Sequence, residues 1–252
     1  LGSCGMGCPT NAKQSMLVTT IPFALDGGAT LLVETRAEKF EISNGRVQGL
    51  TCIAVKPNAA PVNASGPTTQ IIAKHYVLAG GSINSPALLL RSKAPDPHKQ
   101  LGTRTFLHPV AITTAVMSNT VAGWDGAPQS IYSDHYLTTQ PVDGVMGFKL
   151  EVAPLHPVFF GANLPGFGQK QADLFRQFPH ANVMLALMRD GFHDQSVGGK
   201  VELRSDGSPL LDYPLTDYVL DGARRGILAM AENQFQAGAK TVYPCHELGT
   251  ST

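Results

Sequence analysis

The stretch Val77-Leu78-Ala79-Gly80-Gly81-Ser82-Ile83-Asn84-Ser85-Pro86, running on into Ala87-Leu88-Leu89-Leu90-Arg91, constrains the fold more than any other part of the chain. The apolar run from Ile71 to Ala79 predicts a strand, and two successive glycines stop it. Ser85 suits a helix N-cap and Pro86 the first turn of the helix that follows. A strand ending in small residues lets a ligand approach the backbone. A helix N-terminus aimed at the same point favours a pyrophosphate. The same local pattern also serves as a plain tight strand–helix connection, and the residues alone do not separate the two.

On either side the chain alternates short elements with turns. Polar, Gly-rich residues up to Ser15 read as a loop. Helical spacing follows from Met16 to Leu25, with Pro22 making this a short or kinked helix that Gly27-Gly28 ends. Strands are predicted at Ala29–Glu34, Ala37–Ile42 and Val47–Val55, the last two joined by the turn pair Asn44-Gly45. Residues 57–69 read as a loop.

From about residue 110 the pattern changes. Strands are predicted at Ala111–Met117, Gly147–Val152, Ala181–Met188, Gly199–Arg204 and Leu210–Tyr213, with Asp206-Gly207 turning the last pair into a hairpin. One long amphipathic helix is predicted from a Thr216 cap to about Gln236. The fold class is therefore α/β (α+β mixed): a βαβ-type part, then an antiparallel sheet with helices. A boundary at His108-Pro109 divides the chain into domains 1–109 and 110–252.

Composition narrows the function. The formal net charge is zero, which offers no basic surface for nucleic acid. No uncharged apolar stretch is long enough to span a bilayer. The cysteines, Cys4, Cys8, Cys52 and Cys245, fit neither a zinc site nor a disulfide module and read as reduced thiols. The histidines show no i, i+4 pairing, so a metal site is unsupported. The compartment is not legible, and cytoplasmic is the default expectation.

The 77–91 stretch resembles a segment of the glucose–methanol–choline (GMC) family of flavin-dependent oxidoreductases. Leu101-Gly102 and His108-Pro109 stand where that family has similar steps. Upstream, Gly7-Cys8 and Ala12-Lys13-Gln14-Ser15 resemble its Gly-Cys and Lys-x-Ser elements. Downstream, Gly199–Leu203, Asp212–Asp217 and Ala237-Gly238-Ala239 resemble its substrate region.

The resemblance implies FAD as cofactor. It places the adenine against the Ala37 backbone and the dinucleotide against Ala79, Gly80 and Gly81. It also implies oxidation of an alcohol CH–OH group by hydride transfer to the flavin, with oxygen or another acceptor taking the electrons. The apolar residues 145–167 point to a bulky or apolar alcohol.

The departures are as informative. No strand–GxGxxG–helix fingerprint occurs, and the chain starts at Leu1 rather than Met, so the resemblance implies a middle portion of a longer enzyme. His246 in His246-Glu247-Leu248-Gly249-Thr250 resembles the family's catalytic histidine motif, but it follows Gly238 closely. A post-helix strand is the favoured reading for it, and no catalytic residue is assigned. His108 reads as a structural hydrogen-bonder. Glu151 resembles a strand motif of the cholesterol oxidase branch, with a salt bridge to Lys149 or a solvated face as the competing reading.

The alternative function is a catalytically incomplete piece that binds a protein or an apolar ligand, with the missing segments of the same enzyme among its partners. A serine hydrolase ranks last, because no G-x-S-x-G elbow occurs.

Overall fold

The computed structural model describes residues 7–10, 12–56, 67–127, 129–138, 141–164 and 166–245. These contain two compact units. One is Ser15–Phe106 with Val197–Pro214, and the other is Leu107–Ser196 with the residues up to Gln14 and those from Leu215 onward. The second passage of the first unit is the predicted 206–207 hairpin, so the chain leaves that unit after Phe106 and returns to it ninety residues later. Elements are numbered along the whole chain.

The first unit holds α1 (Thr20–Asp26), β1 (Thr35–Ser43), β2 (Arg46–Ala54), β3 (Thr68–Ile71), α2 (Gly81–Arg91), β8 (Lys200–Leu203) and β9 (Pro209–Asp212). β1, β2 and β3 form an antiparallel sheet in that order. The β1–β2 turn is Asn44 (φ 52°) and Gly45 (φ 71°), the positive-φ pair a two-residue hairpin needs. α2 packs on this sheet through Ala87 and Leu88, beside the buried Phe40 and Cys52. Ser92 ends the helix and ties it down. Its hydroxyl donates to the Leu88 carbonyl at 2.6 Å and accepts the Phe40 amide at 2.9 Å. The β8–β9 hairpin turns at Gly207 (φ 77°), with Asp206 Oδ1 accepting the Ser208 amide.

The second unit holds β4 (Val110–Met117), β5 (Tyr132–Ser133), α3 (His135–Thr138), β6 (Phe148–Val152), α4 (Pro157–Ala162), α5 (Gly168–Phe175), β7 (Ala181–Met188), α6 (Asp217–Gln236) and β10 (Ala239–Pro244). Its five strands run β10-β4-β7-β6-β5, every pair antiparallel. α6 covers one face. Met146, Phe148, Leu150, Ala186, Met188, Val219 and Met230 form the core beneath it. Each large side chain buried there contributes about 1.5–3 kcal/mol. Thr216 caps α6 by accepting the Val219 amide, as its position predicts.

Two glycines let α6 come this close. A Cβ on Gly226 would sit 2.8 Å from the Ala186 Cβ, and one on Gly222 would sit 2.9 Å from the Met146 sulfur. Gln234 buries its amide on the same face. It accepts from Thr113 Oγ1 at 2.9 Å and donates to the Asn182 side chain at 3.0 Å.

The mixed helix-and-sheet class and the antiparallel second sheet match the expectation from sequence. Several local readings need correction. α1 starts at Thr20 rather than Met16, which leaves Pro22 in its first turn, where a missing amide costs nothing and no kink is needed. α2 starts at Gly81 rather than after Ser85. Gly81 takes φ 79°, so the glycine makes the turn and the helix follows at once, leaving Pro86 inside it.

The predicted strands at 29–34 and 71–79 do not form. β1 begins at Thr35 and the third ladder stops at Ile71. A strand needs a neighbour to take its backbone groups, and the described residues offer these stretches none. Leu31, Leu32, Val33, Ile72 and Val77 are all exposed, Val77 at 89%. Every ladder among the described residues is antiparallel, so the βαβ crossover expected before residue 110 is not closed within them.

Candidate functional site

The predicted cofactor residues lie in the first unit, on two elements. Ala79 and Gly80 lead into α2, Gly81 opens it, and all three are exposed. Gly80 is the N-cap and no side chain caps the helix, so its first amides carry no side-chain partner. A Cβ on Gly80 would sit 3.4 Å from the Ser85 amide nitrogen, over the first turn. Glycine thus leaves those amides and the positive end of the helix dipole open to an anionic group. The first turn holds no acidic residue to repel one.

Ala37 stands on β1 opposite Cys52, at a bulge that shifts the register between Ala37 and Lys39. It is half-buried, and its carbonyl accepts from Arg91 Nη2 at 3.2 Å. Arg91 is the last residue of α2, so this contact joins the Ala37 strand to the helix that Gly81 begins. The structure thus places Ala79, Gly80 and Gly81 at the N-terminal end of α2 and ties Ala37 to its C-terminal end. Sequence reasoning missed Arg91.

The second unit presents an open sheet face. Register puts Val110 and Ile112 of β4 opposite Leu187 and Leu185 of β7, with Lys149 and Glu151 of β6 next to those leucines and Tyr132 of β5 beyond. These side chains point away from α6. α4 and α5 cover only one end of this face, where Phe160, Leu164, Ala181 and Val183 pack with Ile112 and Phe178. Toward the other end Val110 is 45% exposed. A cavity of about 430 Å³ opens there, its lining drawn from Leu187, Phe192, His108, Lys149, Glu151 and Asp190 among others. That volume suits a small-molecule site with apolar walls and a few polar groups.

The polar groups are partly committed. Lys149 Nζ lies 3.4 Å from Asp134 Oδ1 and 4.2 Å from the Tyr132 ring centre, so its ion pair goes to Asp134 rather than Glu151. Glu151 Oε2 accepts from Gln129 at 3.0 Å. Arg189 donates to the carbonyls of Leu137 and Pro141. His108, read from sequence as a structural hydrogen-bonder, is exposed on the cavity lining.

His156 has a structural role, capping α4 with Nδ1 toward the Val158 amide. His193 stacks on Tyr218 at 4.6 Å. His246 lies outside the described residues, as do Cys4 and the Asn63-Ala64-Ser65 triplet. Cys8, Cys52 and Cys245 are free thiols. No helix among the described residues is long and apolar enough to cross a membrane.

Residues 1–110, which include all four candidate cofactor residues, match the family model described as GMC oxidoreductase. The first 110 residues are thus similar to GMC oxidoreductases. That similarity supports FAD as the cofactor. Similarity extends past residue 110. An uncharacterized GMC-type oxidoreductase of Sinorhizobium fredii is 26% identical over 243 residues, covering 96% of this chain and 44% of that protein. One from Mycobacterium tuberculosis is 28% identical over 239 residues, covering 95% of this chain and 34% of the relative. A long-chain-alcohol oxidase of Arabidopsis thaliana is 25% identical over 201 residues, covering 75% of this chain and 26% of the plant protein. The chain thus spans less than half the length of these curated relatives.

Proposed function

We propose that this chain serves in the oxidation of an alcohol CH–OH group, with a bulky or apolar alcohol lying on the open sheet face of the second unit. The observation that carries the reading is that face: a strip of Val110, Ile112, Leu185 and Leu187 running toward a cavity with a carboxylate on its lining. The similarity to a long-chain-alcohol oxidase supports it. FAD, when bound, supplies the hydride acceptor at the alcohol carbon. Ala37, Ala79, Gly80 and Gly81 hold the cofactor, the glycines through open helix amides and Ala37 through its backbone.

The leucine and valine strip binds the alkyl part and excludes water, which strengthens every polar contact at the reacting end. Glu151, with one carboxylate oxygen on Gln129, takes the substrate hydroxyl proton as the hydride leaves the carbon. Residues 1–109 form the cofactor side and 110–252 the substrate side, with the 200–212 hairpin grouped structurally with the former. Oxygen or another acceptor reoxidises the flavin.

The test is an FAD titration of the purified chain followed by anaerobic addition of primary alcohols of increasing length. The expected result is flavin uptake, and bleaching of its visible band that grows faster with chain length. Flavin uptake with no bleaching by any alcohol sinks the alcohol reading and leaves a flavin-binding piece without turnover.

A further inference from the structure

We infer that Arg91 is a positioning residue for the adenine end of FAD, acting through the backbone of Ala37, an inference that rests on the cofactor reading above. A β-bulge takes residues out of the ladder and strands their carbonyls. The bulge between Ala37 and Lys39 does this at the place assigned to the adenine. Arg91 answers it with one planar group. Nε donates to the Glu38 carbonyl at 2.9 Å, and Nη2 donates to the Ala37 carbonyl at 3.2 Å. Its third arm, Nη1, donates to the Gly207 carbonyl at 3.2 Å, in the β8–β9 turn.

Holding two successive carbonyls fixes two successive peptide planes. Residue 38 between them then has little φ/ψ freedom, and the Ala37 backbone is set before any ligand arrives. The fork also fixes direction. Arg91 is the last residue of α2 and Gly81 the first, so one side chain ties the strand at one end of the cofactor to the helix whose open amides face the other. Burial works against the guanidinium charge, with the Glu38 carboxylate pulling the other way and Arg36 adding repulsion. A charge kept there in spite of its desolvation is answered by three carbonyls, a donor pattern that lysine does not reproduce.

The test compares wild type, Arg91→Lys and Arg91→Ala in the 252-residue chain. Dissociation constants for FAD (by quenching of flavin fluorescence) and for ADP (by competition) are measured beside ligand-free melting. ADP carries the adenine half alone. Arg91→Lys is expected to melt within a few degrees of wild type and to weaken FAD and ADP by the same factor, about tenfold, the effect of one lost charged hydrogen bond. Arg91→Ala is expected to weaken both further, with a lower melting point.

Three results overturn the inference while leaving FAD in place. They are unchanged FAD binding in Arg91→Lys, weakened FAD with unchanged ADP, and wild type that binds FAD but not ADP. Wild type that takes up neither ligand removes the cofactor reading and this inference together.

Discussion

Cys8 shows how a few backbone donors change one side chain. Thr10 Oγ1 lies 3.6 Å from its sulfur and the Ala12 amide donates to it at 3.1 Å. The Thr10 hydroxyl and the amides that follow bring the thiol down to about 7, while burial pushes the Cys52 and Cys245 thiols up. Because the thiolate is the nucleophile, alkylation of Cys8 by iodoacetamide should reach half its maximal rate near pH 7, and that of the other two above the ordinary thiol range. Peptide mass spectrometry after timed labelling checks this, and Thr10→Val should move the Cys8 midpoint upward. Gln234 is the residue-scale counterpart inside the core. Gln234→Leu strands the Thr113 hydroxyl and the Asn182 side chain on a buried face and should cost about 2–3 kcal/mol in urea unfolding.

At the scale of elements, α6 argues against its own propensity. Glycine inside a helix costs up to about 1 kcal/mol relative to alanine, and α6 carries Gly222 and Gly226 in its interior. The close approach to Met146 and Ala186 explains them. Gly226→Ala should therefore lower stability by about 1–3 kcal/mol, although the same change on an exposed helix face raises it. Thermal unfolding with matched circular dichroism decides between these signs. Elements of this kind were legible in the chain where local rules and tertiary structure agree. Thr216 as a cap, Asn44-Gly45 as a turn and Ala181–Met188 as a strand all stand where their residue types place them. Legibility failed where the answer depends on a neighbour. β10 and the short β5 are recognisable only from the strands they join, and the apolar runs 29–34 and 71–79 have strand composition without a ladder. At the candidate cofactor site the glycine turn was readable because glycine has few other uses at a helix entry. Arg91 was not, since nothing local announces which carbonyls a distant bulge leaves open.

At the scale of the whole molecule, the candidate cofactor residues and the open sheet face belong to two separate units, and the chain passes from one to the other four times within the described residues. A ligand held by one unit should stabilise that unit. Saturating FAD, at about a hundred times its dissociation constant, should add roughly 2.7 kcal/mol and raise the melting of the unit that contains α2 by about 5–20 °C. Hydrogen exchange resolved by peptide should place the gain in residues 35–55 and 80–92, and a gain confined to 110–152 would contradict the cofactor assignment. The exposed run Ala29-Thr30-Leu31-Leu32-Val33 has a further consequence. It is uncharged, free of proline and rich in β-favouring side chains, the signature of a segment that stacks with its own copies. Colloidal behaviour in concentrated solution is then governed by these five residues rather than by the net charge of zero. Val33→Lys, which touches no ladder, should raise the concentration at which light scattering first climbs.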